Sequence, residues 1–379
     1  MSADTGIVGA ITGRLDAERR RARNGARYLL GLGQPELGQS PRHLVARRDK
    51  VRLYRYEPPD GLADAERLGP PLLLVMSLVT RPTVFDLQPG NSLIERFCGA
   101  GFDVYLLDWS EPGPADSQNT LETYCDEYLP WAVAATTADA GAETVTMFGY
   151  CFGGFLSFLS LAANPAMPVA NLVVLDTPIA PERGPEQLRP RRIGLGLFDE
   201  TGNVPAETMR TAFVTLDPMA ELMSYVRFWQ KLDDDDYVLA HQVMTSWASD
   251  HIRFPGAAAR QLATMFADGN PILDGTLRLG GRPVDPGSIT VPFLSVVGEK
   301  DTIAPVATSE PLLDLVGSAD KSELRVPAGH VGLFVGRSAA KLCVPGILDW
   351  MTAHSTARSS GPGKGSRSVT RTPAAANAG

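Results

Sequence analysis

Residues 145–158 read VTMFGYCFGGFLSF, and the order of residue types in this stretch decides the fold. The run ETVTMFGY predicts a buried strand ending at Gly149, and FGGFLSFLSLAAN predicts an apolar helix starting at Gly153 and Gly154. Between them stands one nucleophile, Cys151. A strand, a nucleophile and a helix, with small residues two before and two after the nucleophile, form a nucleophile-elbow pattern in which Cys replaces Ser. The glycines are needed because a sharp turn brings strand and helix backbones together while the nucleophile sits on strained backbone. Such a turn lifts the thiol above the strand ends and aims the backbone N–H of Phe152 at a developing oxyanion. The same helix end favours thiolate over thiol. A buried Cys in a Gly-rich turn is the plainer reading of the string by itself, since free Cys is among the most buried residue types.

Outward from the elbow the chain keeps a strand–helix–strand rhythm. VRLYRY from Val51, PLLLVMSLV from Pro71, FDVYLLDW and NLVVLDTP read as strands, with helices at NSLIERFCGAG and between residues 120 and 140. That rhythm predicts an α/β fold: a mostly parallel central sheet with helices on both faces. It stops near Pro181. Residues 181–287, which contain an acidic run at 233–236, read as an inserted cap, because the sheet pattern resumes at TVPFLSVVGEKD and SELRVPAGH and closes with a helix at 338–351. Residues 1–40 read as a solvated helix and a linker, 41–354 as the catalytic domain with its cap, and 355–379 as a disordered tail rich in Ser, Gly, Pro and Ala.

Composition excludes several classes. A net charge of -8 over 379 residues argues against phosphate-backbone binding, which needs a basic face. No stretch is apolar enough for a transmembrane helix, and the N-terminal charges follow rather than precede the apolar patch, unlike a secretory signal. The four cysteines, Cys98, Cys125, Cys151 and Cys343, have neither CxxC pairing nor metal-ligand spacing. No metal, redox cofactor or disulfide framework is expected, and the chain reads as cytoplasmic.

Order along the chain then selects partners for Cys151. On such a fold the acid and then the base follow the nucleophile. Of five histidines, His43 precedes Cys151, His241 and His251 fall in the cap, and His354 lies at the end; His330, in the loop PAGHVG, fits. Asp301 fits as the acid, in the loop GEKD after a strand. A turn aspartate and a satisfied imidazole are the plainer readings of each alone. The second oxyanion donor is expected from the loop after the early buried strand, with the backbone N–H of Val79 or Thr80 as candidates. Cys at the elbow favours acyl transfer. A thiolate attacking a thioester makes another thioester, so the acyl group stays activated for a weak nucleophile such as an alcohol. An apolar cap would suppress hydrolysis.

The strings LVTRPTVFDLQPGNSLIERF, DVYLLDW, GYCFGG, GEKD and GHVGLFV together resemble the polyhydroxyalkanoate synthases of the α/β-hydrolase superfamily, most of all the class III, two-component branch. The resemblance covers about residues 41–351, and the cap run SWASDHIRFPGAAARQL is similar more loosely. It implies an acyltransferase that polymerises (R)-3-hydroxyacyl-CoA into polyester and releases CoA, with Cys151, Asp301 and His330 as its triad and CoA as product rather than cofactor. It also implies a homodimer, a non-catalytic synthase subunit as partner, and residence at the surface of polymer granules. One departure stands out: the family usually has His directly after the triad Asp, and this chain has Thr302. A thioesterase, esterase or depolymerase of the same fold is therefore the competing expectation. A non-enzymatic granule protein is a third, against which the intact Cys, Asp, His order argues. Acyl chain length and the substrate-binding residues are not legible.

Overall fold

The computed structural model describes residues 3–33, 35–58, 67–186, 197–215 and 218–357. The disordered tail expected beyond residue 357 lies outside them. Eight strands form the main run of a nine-stranded sheet: β1 (Arg42–Arg48), β2 (Val51–Tyr56), β3 (Leu68–Val75), β4 (Phe102–Asp108), β5 (Val145–Tyr150), β6 (Val169–Leu175), β7 (Phe293–Gly298) and β8 (Lys321–Val326). Their spatial order is β1-β2-β4-β3-β5-β6-β7-β8. β2 runs antiparallel to β1 and β4, and every other pair in this run is parallel. The last pair, β9 (Thr356–Ala357), lies antiparallel to β3, so the first residues of the expected disordered tail are tied to the sheet.

The central strands are apolar at successive positions because both faces are covered. In β3, Leu73 and Val75 face one core while Leu72 and Leu74 face the other; in β4, Tyr105 and Leu107 oppose Val104 and Leu106. The first face is covered by α3 (Leu129–Ala140) and α4 (Phe152–Ala163), and the second by α2 (Leu93–Gly99) and the closing helix at Val344–Ala353. Each fully buried Leu, Val or Phe contributes on the order of 2 kcal/mol by leaving water. The crossing from β3 to β4 runs one way along the sheet and all later crossings return the other way. A crevice therefore opens at the carboxyl ends of β3 and β5, where such folds bind ligands.

Three local outcomes differ from the sequence reading. β1 is an extra edge strand: its residues RHLVARR are charged and mostly exposed, as suits an edge, and carry no clean apolar alternation. The helices expected at 120–140 and 338–351 each contain a π turn, at Thr123–Tyr128 and Ala339–Cys343. Pro130 and Pro345 follow these turns, and a proline removes the N–H that would continue the regular ladder. The elbow strand runs to Tyr150 and its helix begins at Phe152, one residue tighter on both sides than the glycine spacing suggests.

Between β6 and β7 the chain forms α5 (Ala206–Val214), α6 (Pro218–Gln230), α7 (Asp235–Ser249) and α8 (Gly256–Met265). α1 (Ala3–Leu29), expected as a solvated helix, docks on this region. Arg23 Nη2 reaches both carboxylate oxygens of Asp235 at 2.6 and 2.7 Å, and Arg21 meets Asp233 at 3.0 Å. The buried Asn24 donates to the Leu232 carbonyl at 2.8 Å, and the Tyr28 ring packs on Phe228 at 4.6 Å. The basic run of α1 and the acidic run at 233–236 are complements, separated by some 210 residues of chain.

Candidate active site

Cys151 stands between β5 and α4 with φ 53° and ψ −122°, a left-handed conformation costly for any residue with a Cβ. It is held there from both sides. Its N–H donates to the Leu175 carbonyl at 2.8 Å, and its carbonyl accepts from Phe155 at 3.1 Å. The glycines serve close approach: a Cβ on Gly149 would collide with the backbone of Gly154, and one on Gly153 with the carbonyls of Val75 and Met76. Phe152 opens the helix, so its N–H has no partner inside the helix and faces the end where negative charge is favoured.

His330 opens the turn after β8, and Asp301 follows β7. His330 Nδ1 lies 2.6 Å from Asp301 Oδ2, and both residues are buried. The other carboxylate oxygen of Asp301 accepts from the N–H groups of Ile303 and Ala304 at 2.7 and 2.9 Å. Burial works to raise the Asp301 carboxyl, but His330 and these donors outweigh it and hold it below its ordinary range. Burial likewise works to lower His330, yet the Asp301 charge, the neighbouring Cys151 sulfur and hydrogen bonds to both leave the imidazole well above its usual value. With Nδ1 committed to the carboxylate, Nε2 is the nitrogen left for sulfur. The three residues expected from chain order thus meet at one point.

A cavity of about 460 Å³ lies over them, of a size suited to a small-molecule ligand. Its walls are largely apolar, with Met76, Phe213, Val214, Met244, Trp247 and Val331, and Thr302 also lines it. Val79 and Thr80 line it too. The Val79 N–H faces Ser77 Oγ at 3.4 Å, and its carbonyl accepts from Ile252 at 3.0 Å. Thr80 is paired with His251 across an antiparallel bridge flanked by the bonds Ile252 N–H to Val79 and Arg81 N–H to Asp250. In that pairing the N–H of Thr80 points away from His251. Arg81 closes the clamp through Asp250 at 3.1 Å and Glu111 at 3.4 Å. The stretch SWASDHIRFPG therefore fixes the loop after β3, a task invisible in its composition.

The remaining candidates fall into place as bystanders or walls. Burial pushes the Cys98 and Cys343 thiols up to about 12 and Cys125 well above its usual value, so these three are inert. His241 and His251 line the cavity, and burial lowers both. His354 pairs with Asp320 at 2.9 Å, away from the cavity, and His43 lies on the edge strand β1. Sequence reasoning missed Asp176, which it takes only as the end of a strand in NLVVLDTP. This carboxyl is fully buried, with Oδ2 3.5 Å from His330 Nδ1. The signal was available: an acidic residue closing a mostly apolar strand beside the elbow.

A family model described as the alpha/beta hydrolase fold matches residues 70–337. The chain is 34% identical over 337 residues to the poly(3-hydroxyalkanoate) polymerase subunit PhaC of Allochromatium vinosum, covering 88% of this chain and 94% of that one. Against the protein of the same name from Haloferax mediterranei identity is 31%, covering 86% of this chain and 66% of the relative. The Synechocystis protein of that name is 31% identical, with 87% and 89% covered.

Proposed function

The chain belongs to the poly(3-hydroxyalkanoate) polymerase subunit PhaC family, and we propose that it builds polyester from (R)-3-hydroxyacyl-CoA through acyl groups carried on Cys151. The observation that carries this reading is the elbow Cys beside a His330 that is itself bonded to Asp301, under a largely apolar cavity.

His330 takes the proton of the Cys151 thiol, and the thiolate attacks the thioester carbonyl of the substrate. The N–H groups of Phe152 and Thr80 receive the oxyanion, Thr80 being the better placed of the two loop candidates because the Val79 N–H already faces Ser77. The bond from carbonyl carbon to CoA sulfur breaks, and CoA leaves with the proton from His330. The hydroxyl of the next hydroxyacyl-CoA then gives its proton to His330 and attacks the acyl-Cys. An ester bond forms, the Cys151 thiolate is released, and the elongated CoA thioester re-enters the cycle. Asp301 stays ionised throughout, holding the tautomer of His330 and stabilising its charged form. The apolar walls keep water, the competing acceptor, dilute around the acyl-Cys.

The same family reading extends to a second copy of the chain, a non-catalytic synthase subunit, and a cytoplasmic location at the polymer surface. It is supported by a row of exposed apolar residues on one face of α6, Met219, Leu222, Met223, Val226 and Trp229. No helix of the described residues is long and apolar enough to cross a membrane.

Thr302 lines the cavity at the position where the resemblance leads one to expect His, and it favours a second reading in which water replaces the hydroxyl as acceptor. Incubation with (R)-3-hydroxybutyryl-CoA separates the two. CoA release with high-mass polyester is the expected result; CoA release with only free 3-hydroxybutyrate assigns hydrolysis.

A further inference from the structure

His330 is faced by two carboxylates, and the two are not equivalent. Asp301 follows β7 and Asp176 follows β6, its parallel neighbour. The adjoining ends of these strands are bound together: the Asp176 N–H donates to Val296 at 2.8 Å, and the Gly298 N–H donates to Asp176 Oδ1 at 2.7 Å. Asp176 has φ 39°, a left-handed backbone that a side chain adopts only under constraint. Its Oδ2 is shut off from solvent, with no donor to it among the described residues, and lies 3.5 Å from His330 Nδ1. The ligand-type atoms of Asp176, Asp301 and His330 all fall within 4.8 Å of one another.

Two buried carboxylates with oxygens within 4.8 Å of each other resist double ionisation. Which one holds the charge follows from counting donors. Among the described residues, Asp301 accepts from Ile303, Ala304 and His330, whereas Asp176 accepts from Gly298 alone. The proton belongs on Asp176, and placing it there also resolves the stranded oxygen: a protonated Oδ2 becomes a donor, with the Asp301 carboxylate beside it as acceptor. Burial and the Asp301 charge both push the Asp176 carboxyl well above the usual carboxylate range, against the pull of His330.

We propose that Asp176 is a positioning residue of the His330–Asp301 pair: a neutral carboxylic acid that donates to Asp301, fixes it on Nδ1, and draws off part of its charge. Less of that charge then reaches His330, so the imidazolium is held less tightly and returns its proton more readily than it would against an undiluted Asp301. The inference rests on the reading of His330 as the base of the Cys151 reaction. The other groups facing this cluster are the Cys151 thiol across the ring, the Tyr150 hydroxyl on the His330 carbonyl at 3.5 Å, and the Cys343 thiol, which burial pushes up to about 12.

The test is the titration of the His330 ring, followed by NMR of histidine-labelled full-length Cys151→Ala protein and assigned by His330→Gln. Adding Asp176→Ala should raise the midpoint by roughly half to one pH unit, because Asp301 then gives its whole charge to the ring. Adding Asp176→Asn, which keeps a donor in place, should leave the midpoint near that of the parent. A fall in both variants would mean that Asp176 is an anion, and no change in either would make it a structural residue only; both results overturn the proposal. Should Asp176→Ala fail to fold, the infrared difference between parent and Asp176→Asn decides. Loss of a protonated-carboxyl band at neutral pH supports the proposal, and loss of a carboxylate band overturns it. Neither measurement uses substrate, so an error in the acyl donor or acceptor leaves the answer intact.

Discussion

His330 Nδ1 and Asp301 Oδ2 are 2.6 Å apart although 29 residues separate them in the chain. Two adjacent parallel strands end side by side, and the loop after each delivers one member of the pair. The contact sets the imidazole's protonation, since burial alone would lower it and Asp301 with Cys151 raises it.

Asp301→Asn should therefore cost CoA release about 10³- to 10⁴-fold while the protein stays folded, because the amide favours the wrong tautomer. The His330 titration should fall, since burial is no longer opposed by that charge. Linkage has a definite sign here. The raised His330 adds stability that is fully present below the unfolded value of about 6.5 and is lost as pH rises through the folded value. The depressed Asp301 adds stability present above about 3.9 and lost as pH falls through its lowered value. Urea unfolding of parent and variant across pH 3–9 would show the variant without the Asp301 dependence and with the His330 dependence reduced or reversed in sign. Matching pH profiles would remove the charge pair from the account.

Glycine substitutions should split sharply by place. Gly153→Ala drives a methyl into the Val75 and Met76 carbonyls, backbone that cannot yield, and should destabilise by at least about 3 kcal/mol or prevent folding. Gly99→Ala, in α2 with open space at its Cβ, should be neutral or stabilise by up to about 1 kcal/mol. Chemical denaturation reads both, and equal effects would refute the close-packed elbow.

The docking of α1 makes a third prediction. Asn24 is buried and bonds to both the Leu232 carbonyl and Asp235. Asn24→Ala should speed hydrogen exchange over residues 12–29 by about tenfold or more, and added salt should enlarge the effect by weakening Arg21 and Arg23 against their aspartates. Unchanged alkylation of Cys151 in the same variant would show that the helix is held independently of the elbow. Unchanged exchange would mean that the Tyr28 packing alone holds it.

What the sequence made legible was whatever a single segment or a fixed order encodes. The elbow glycines, the apolar strands and the order Cys151, Asp301, His330 each carry their own constraint, and all lead to one point in the fold. Long-range complements were not legible in that way. The basic run of α1 reads as solvated until the aspartates at 233 and 235 are placed against it. The Thr80 and His251 bridge joins two loops with no periodic signal. Asp176 closes an apolar strand, and nothing local says that the neighbouring strand end carries a second carboxylate. β1 was missed because an edge strand is selected for charge, which hides its alternation.

The most direct measurement is the mass of intact protein quenched in acid seconds after mixing with (R)-3-hydroxybutyryl-CoA, followed by peptide mapping. The expected result is a thioester-linked hydroxybutyryl group on Cys151, absent in Cys151→Ala together with CoA release. Cys151→Ser should keep the fold and lose most of the transfer, because an oxygen ester is harder to form and to pass on. Acylation mapped to any other residue, or CoA release undiminished in Cys151→Ala, would contradict the account.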